Sequence, residues 1–200
     1  MKTSDFDYHL PEELIANYPL DIRSSSKLLV YNNQIEHKTF RDVLDYFKEG
    51  DLLVVNNTSV IPARIYGNKE SGGSVEVMLE RIMEDNTALV QIRSGRSPKI
   101  GTIIFLDQYK VQCIDRQDNF FILQFDRPPL EIFNKIGNVP LPPYIKRLEE
   151  DLDKDRYATV YENKNLQESV AAPTAGLHFD NELLKDLKKL GVKIATVNLS

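Results

Sequence analysis

The sequence predicts an α/β domain interrupted by an antiparallel β domain, either a barrel or a small sandwich. Three observations carry this. Toward both ends, apolar runs of strand length alternate with stretches whose apolar residues recur at helical spacing. Between about residues 66 and 125 lie short β-prone runs separated by turn signals, with no helical pattern among them. Two hundred residues, 42% of them hydrophobic, suffice to bury one sizeable core or two modest ones.

Taken in order, Leu10 and Pro11 open a short helical stretch with Glu12 and Glu13 on the positive end of its dipole, and Pro19 closes it. A loop over residues 21–27 precedes a strand at 28–31, with Asn32-Asn33 as a turn. Phe40, Val43, Leu44 and Phe47 fall at helical spacing, with Thr39 as N-cap and Gly50 as the stop. The fully apolar run 52–55 reads as a strand buried in a sheet covered on both faces, and Asn56, Asn57 and Thr58 stand at its carboxyl end. Strands are expected at 75–79, 88–92, 102–106, 110–114 and 120–125. A short helix over 130–136 ends at Gly137, and the proline-rich residues 139–144 favour polyproline II. The charged run 148–155 reads as a solvated loop or exposed helix. Asp180 caps a helix whose stripe is Leu183, Leu184, Leu187 and Leu190, Gly191 stops it, and residues 192–197 form a strand.

Composition narrows the function. A formal charge of −5 argues against indiscriminate nucleic-acid binding, although a local basic face remains compatible with it. Cys113 is the only cysteine, so neither an intramolecular disulfide nor a cysteine-rich zinc site can form, which fits a reducing compartment. The acidic first residues lack the apolar run of a signal peptide, and no segment is long enough to span a membrane, so a cytoplasmic protein is expected.

Residues 169–179 are apolar yet follow neither helical nor strand periodicity. Two readings stand: a buried loop before a helix, or a floor where small side chains let a flat ligand approach the backbone. Within it, desolvation would keep His178 neutral as a base, or His178 is a buried histidine bonded to backbone. Asn56, Asn57 and Thr58 either form a turn or face a ligand beyond a strand end, and Arg64 is either a fixed cation or half of a surface ion pair. Arg23, Lys27, Tyr144, Lys146, Arg147, Arg156, Tyr157 and Tyr161 are solubilising surface, or a set that holds phosphates and stacks on unpaired bases. His9, His37 and His178 are far apart and no H-x-x-x-H pair occurs, so no metal is expected. A glycine-rich phosphate loop after 52–55 and a G-x-S-x-G elbow are both missing.

Several motifs in register carry a resemblance. They are Phe6-Asp7-Tyr8-His9-Leu10-Pro11-Glu12-Glu13-Leu14-Ile15-Ala16, Asp51-Leu52-Leu53-Val54-Val55-Asn56-Asn57-Thr58, Val60-Ile61-Pro62-Ala63-Arg64, Pro140-Leu141-Pro142-Pro143-Tyr144-Ile145 and Val170-Ala171-Ala172-Pro173-Thr174-Ala175-Gly176-Leu177-His178-Phe179. Through nearly its whole length the chain resembles the S-adenosylmethionine:tRNA ribosyltransferase-isomerase family of queuosine biosynthesis. The resemblance implies an α/β main domain with a mixed sheet, lacking its C-terminal part, over residues 1–65 and 138–200, and an inserted antiparallel β-barrel over 66–137. It implies transfer and isomerisation of the ribosyl group of S-adenosylmethionine onto 7-aminomethyl-7-deazaguanine at the tRNA wobble position, giving epoxyqueuosine. His178 would be the base. Ala171, Ala172, Pro173, Thr174, Ala175 and Gly176 would line the adenosyl pocket, faced by Asn56, Asn57, Thr58 and Arg64. Arg23, Lys27, Tyr144, Lys146, Arg147, Arg156 and Tyr157 would meet the anticodon stem-loop. A monomer is expected.

Departures from the family pattern are Ser24 where an aspartate is usual, Lys27 for arginine, Ala158 for glutamine and Glu168 for glycine. Members continue from the last strand through a His-Val-Gly stretch, where this sequence has Ser200 and stops. The expectation is therefore a chain of marginal stability and little activity when expressed alone. Its alternatives to an active enzyme are a truncated tRNA-binding module and an inactive remnant.

Overall fold

The computed structural model describes residues 1–199; Ser200 and the side chain of Glu168, both singled out by the sequence comparison, lie outside the described residues. The N-terminal segment holds only single 3₁₀ turns at Thr3–Phe6, Glu12–Leu14 and Arg23–Ser25. The helix expected after Leu10 is thus reduced to one turn. Leu14 is 71% exposed there, and a short helix without an apolar face packed on a core is unstable in water.

Strand β1 (Lys27–Asn32) folds back through Asn33, at φ 62°, onto β2 (Gln34–Thr39) as an antiparallel hairpin. β2 is absent from the sequence prediction because its side chains are mostly exposed and show no apolar alternation. Phe40–Tyr46 is a 3₁₀ segment rather than an α-helix. The Asp42 carboxylate fixes its start by accepting from the N–H and the hydroxyl of Thr39, each at 2.8 Å. Strands β3 (Leu52–Asn56) and β4 (Ser59–Val60) follow.

The barrel begins at β5 (Arg64–Lys69) and continues through β6 (Ser74–Ile82), β7 (Thr87–Ser94), β8 (Ile103–Leu106), β9 (Tyr109–Gln117) and β10 (Phe120–Gln124). All neighbours are antiparallel and the order β10-β7-β6-β5-β8-β9 closes on itself, leaving no free edge. Alternate residues point inward, Val75, Val77 and Leu79 from β6 and Val111 and Cys113 from β9 among them. At Gly67 a Cβ would lie 2.3 Å from the Phe105 carbonyl, so the β5–β8 crossing requires glycine.

Helix α1 (Pro129–Ile136) seats Ile132 and Phe133 in the barrel core. Gly137 then passes so close to the incoming chain that a Cβ would sit 1.9 Å from the Pro62 carbonyl. Arg64 and Asn138 bridge backbone to backbone, so the chain enters and leaves the barrel side by side.

After α2 (Asp151–Arg156), β11 (Gln167–Ser169) pairs parallel with β4; after α3 (Asn181–Lys189), β12 (Lys193–Val197) pairs parallel with β3. The α/β part therefore holds two parallel pairs and one antiparallel hairpin. Leu183 and Leu187 of α3 pack with Val192, Phe179 and Leu53 in a second core. The N-cap is as expected: Asp180 Oδ1 accepts the Leu183 N–H at 2.8 Å. β3 is not covered on both faces, however. Leu52 and Val54 are 58% and 53% exposed, because β12 is its one described neighbour and α3 covers one side. Among the described residues no helix is long and apolar enough to cross a membrane.

Leu123→Ala, inside the barrel, should destabilise the chain by about 2–5 kcal/mol, whereas Leu52→Ala should cost at most about 0.5 kcal/mol. Urea unfolding of the two variants checks this, and equal costs would contradict the burial described.

Candidate active site

The 3₁₀ turn Thr174–His178 starts after Pro173 and closes through Gly176 N–H to the Pro173 carbonyl at 2.7 Å and Phe179 N–H to the Gly176 carbonyl at 3.2 Å. A Cβ on Gly176 would stand 2.0 Å from the Tyr161 hydroxyl. The small residue thus admits the chain's own tyrosine, not a ligand. Ala172 is buried, and its N–H meets the Tyr157 phenol oxygen. Ala171, Thr174 and Ala175 are exposed.

His178 is half-buried beside Phe40, with ring centroids 5.2 Å apart. Burial holds its imidazole below the ordinary histidine range, so it is neutral at pH 7 and able to accept a proton. It faces a cavity of about 550 Å³, a size typical of small-molecule sites. Thr174 and Leu177 join it from the same turn, Tyr157 from the end of α2, and Arg23 and Lys27 from the start of the hairpin. Residues 16–20 line the cavity as an N-terminal strap, and Tyr144 lines it while remaining half-exposed.

Polar contacts hold this region together. The Arg147 guanidinium grips Asp153 through two bonds of 2.7 Å; Asp153 is buried and the Arg147 side chain is largely so. The hydrogen bonds from Arg147 hold the Asp153 carboxyl below the usual carboxylate range, and the same pairing raises Arg147. Arg147 Nε also donates to the Asn17 carbonyl at 2.7 Å, and the guanidinium lies 4.3 Å from the Tyr18 ring. Tyr18 donates to Glu150 at 2.8 Å. Lys146 pairs with Glu12. Ser24, where the family usually has aspartate, is buried with its hydroxyl and N–H on the Asp180 carboxylate. A carboxylate at 24 would face Asp180 and require a counter-charge.

Eight residues expected at a site therefore meet at one cavity: Arg23, Lys27, Tyr144, Arg147, Arg156, Tyr157, Thr174 and His178. Lys146 is held on Glu12, away from the cavity lining. Asn56, Asn57, Thr58 and Arg64 do not line this cavity. The Asn56 side chain accepts from the N–H of Thr58 and of Leu199 and donates to the Leu199 carbonyl, which makes it the brace of a turn. Asn57 Oδ1 and Thr58 Oγ1 are buried without hydrogen-bond partners. Arg64 lies on the barrel between Glu76, at 3.2 Å, and Glu149, at 3.9 Å. Sequence reasoning missed Asn17, Tyr18 and Asp153. Asp153 belongs to a charged run read as solvated yet is 2% exposed, and the nearby Arg147 was the one signal that it has a buried partner.

Asp153→Ala should destabilise the chain by about 3–5 kcal/mol at neutral pH by leaving Arg147 buried without its partner. The Asp153 carboxyl is depressed in the folded state, so its contribution is present above the unfolded value of about 3.9 and lost as pH falls through the lower folded value. Urea unfolding across pH should show the gap between parent and variant constant at neutral pH and closing only in acid.

The profile of the family described as "Queuosine biosynthesis protein" matches residues 3–200. S-adenosylmethionine:tRNA ribosyltransferase-isomerases of Legionella pneumophila strains Paris and Corby are each 48% identical over 203 residues, which is 100% of this chain. The chain spans 60% of the length of these curated relatives. The crystal structure of an S-adenosylmethionine tRNA ribosyltransferase from Thermotoga maritima is 32% identical, covering 98% of this chain and 57% of its own, with a TM-score of 0.39. With a match that runs from residue 3 to residue 200, the chain belongs to the queuosine biosynthesis protein family.

Proposed function

We propose that this chain acts as an S-adenosylmethionine:tRNA ribosyltransferase-isomerase in the cytoplasm, as a monomer, with S-adenosylmethionine as ribosyl donor. The acceptor is 7-aminomethyl-7-deazaguanine at the wobble position of tRNA, presented on the anticodon stem-loop, and the product is epoxyqueuosine. The observation that carries this reading is His178, neutral and half-buried at a 550 Å³ cavity that Thr174, Tyr157 and Arg23 also line.

The sulfonium acidifies the C–H bonds of the adjoining 5′ carbon, and His178 accepts the proton released there. The ribose ring opens at the bond between the anomeric carbon and the ring oxygen, and adenine leaves with the electron pair of its bond to the sugar. The acceptor amine attacks the former anomeric carbon, which also bonds to the 5′ carbanion to close the five-carbon ring. The former ring oxygen then attacks the 5′ carbon, closing the epoxide, breaking the bond to sulfur and releasing methionine. Partial exclusion of water around His178 keeps the imidazole unprotonated and strengthens its interaction with the positive donor. In this reading Tyr144, half-exposed at the cavity, stacks on the acceptor base.

A tRNA-binding module without catalysis would rely on its cations. Lys146 and Arg147 are already paired with Glu12 and Asp153, which favours the enzyme over the module. Incubating the chain with S-adenosylmethionine and precursor-bearing tRNA, then measuring adenine and the modified nucleoside by mass spectrometry, decides among the readings. The module would bind tRNA in a salt-sensitive manner without adenine release, and an inactive remnant would do neither. His178→Gln should abolish adenine release while retaining donor binding; full turnover in that variant removes His178 from the role. Because the folded histidine titrates below its ordinary value of about 6.5, adenine release should be flat through neutrality and fall on an acid limb below that value.

A further inference from the structure

Two guanidinium groups meet at the cavity wall without a counter-ion. Arg23 donates to the carbonyls of Asp155, Leu177 and Arg156 at 2.7, 3.1 and 3.4 Å. Arg156 donates in return to the carbonyls of Leu20 and Asp21 at 2.7 and 2.9 Å. Each arginine thus clasps the backbone beside the other. Among the described residues neither forms an ion pair with a carboxylate, unlike Arg41, Lys146 and Arg147; Asp155 and Asp180 act on Arg23 only at longer range. Carbonyl dipoles orient the two planes but leave their net charge in place. Burial, and then the charge of Arg156, pull Arg23 below the ordinary guanidinium range. Donors also remain: Nη1 and Nη2 of Arg156 and Nη2 of Arg23 each make one of the two hydrogen bonds open to them, and the Arg156 Nε is buried without a partner. Both side chains line the cavity that holds His178, and the Arg23 bond to Leu177 ties the pair to the residue preceding the base.

We propose that Arg23 and Arg156 form an oxyanion seat within this cavity, and that it takes the carboxylate at the amino-acid end of S-adenosylmethionine, an assignment that rests on the proposed function. A carboxylate supplies the missing negative charge and fits the planar fork of a guanidinium. Anchored there, the amino-acid tail fixes one end of the donor while His178 works at the carbon beside sulfur. An RNA phosphodiester offers the same oxyanion chemistry, and the test separates the two sources.

The test uses the 200-residue chain with inorganic sulfate as probe, at low millimolar concentration and at ionic strength matched with chloride. Sulfate should raise the thermal midpoint saturably. The rise should vanish in Arg156→Gln and persist in part in Arg156→Lys, which keeps the charge. No rise in the parent, or an equal rise in Arg156→Gln, overturns the seat. A second arm needs no variant: calorimetry compares S-adenosylmethionine with its decarboxylated analogue. Loss of the carboxylate should weaken binding about tenfold or more, the effect of one charge-assisted hydrogen bond. Equal affinities overturn the carboxylate assignment and leave the donor reading standing. Sulfate stabilisation without binding of either compound overturns the donor reading and leaves the seat. Displacement of sulfate by an RNA stem-loop but not by S-adenosylmethionine assigns the seat to a phosphodiester and overturns the carboxylate.

Discussion

Guanidinium groups hold the cavity region where apolar packing is thin. One hydrophobic cluster fills the barrel and a second lies under α3, while the N-terminal strap and the residues around α2 expose Tyr18, Leu20, Ile22, Leu148 and Leu152. What joins these pieces is the bidentate pair of Arg147 and Asp153, with the crossed contacts of Arg23 and Arg156 on backbone carbonyls. Such bonds are directional, and a guanidinium fork sets both distance and plane. They also depend on their partners: a buried charge stripped of its partner costs more than the pair contributes when intact. The shape of the cavity is therefore an electrostatic construction set between two apolar cores.

The order of elements was legible from the chain where periodicity and burial agree. Short β-prone runs between turn signals placed five of the six barrel strands, β6 to β10. Asp180 and Gly137 marked helix ends through local chemistry that needs no tertiary context. Legibility failed where partners are distant. β2 has no apolar face to announce it and exists by pairing with β1. β3 reads as fully apolar, yet half its side chains face outward because β12 is the one strand described beside it.

For the site, residue type was easier to read than residue role. Arginine and tyrosine were identified as a set suited to phosphate and base, and most of them do meet at one cavity. Their partners are backbone carbonyls from segments far away in sequence, and an aspartate six residues from Arg147 whose burial a charged run conceals, neither of which periodicity reveals. Gly176 makes the same point sterically. A glycine among small residues suggests access for a ligand, but the atom it admits belongs to Tyr161.

The side-by-side entry and exit of the barrel at Pro62 and Gly137 bears on how the two parallel pairs come together. Leu52 must find Lys193, and Ser59 must find Gln167, each across more than half of the chain. Once the barrel has closed, its strands no longer count as slack between those partners, because its two ends are already pinned to each other. The entropic length of the loop to be closed shrinks to the few dozen residues outside it. The barrel thus works as a splice in the polymer, bringing remote strands within reach of each other by removing contour length from between them.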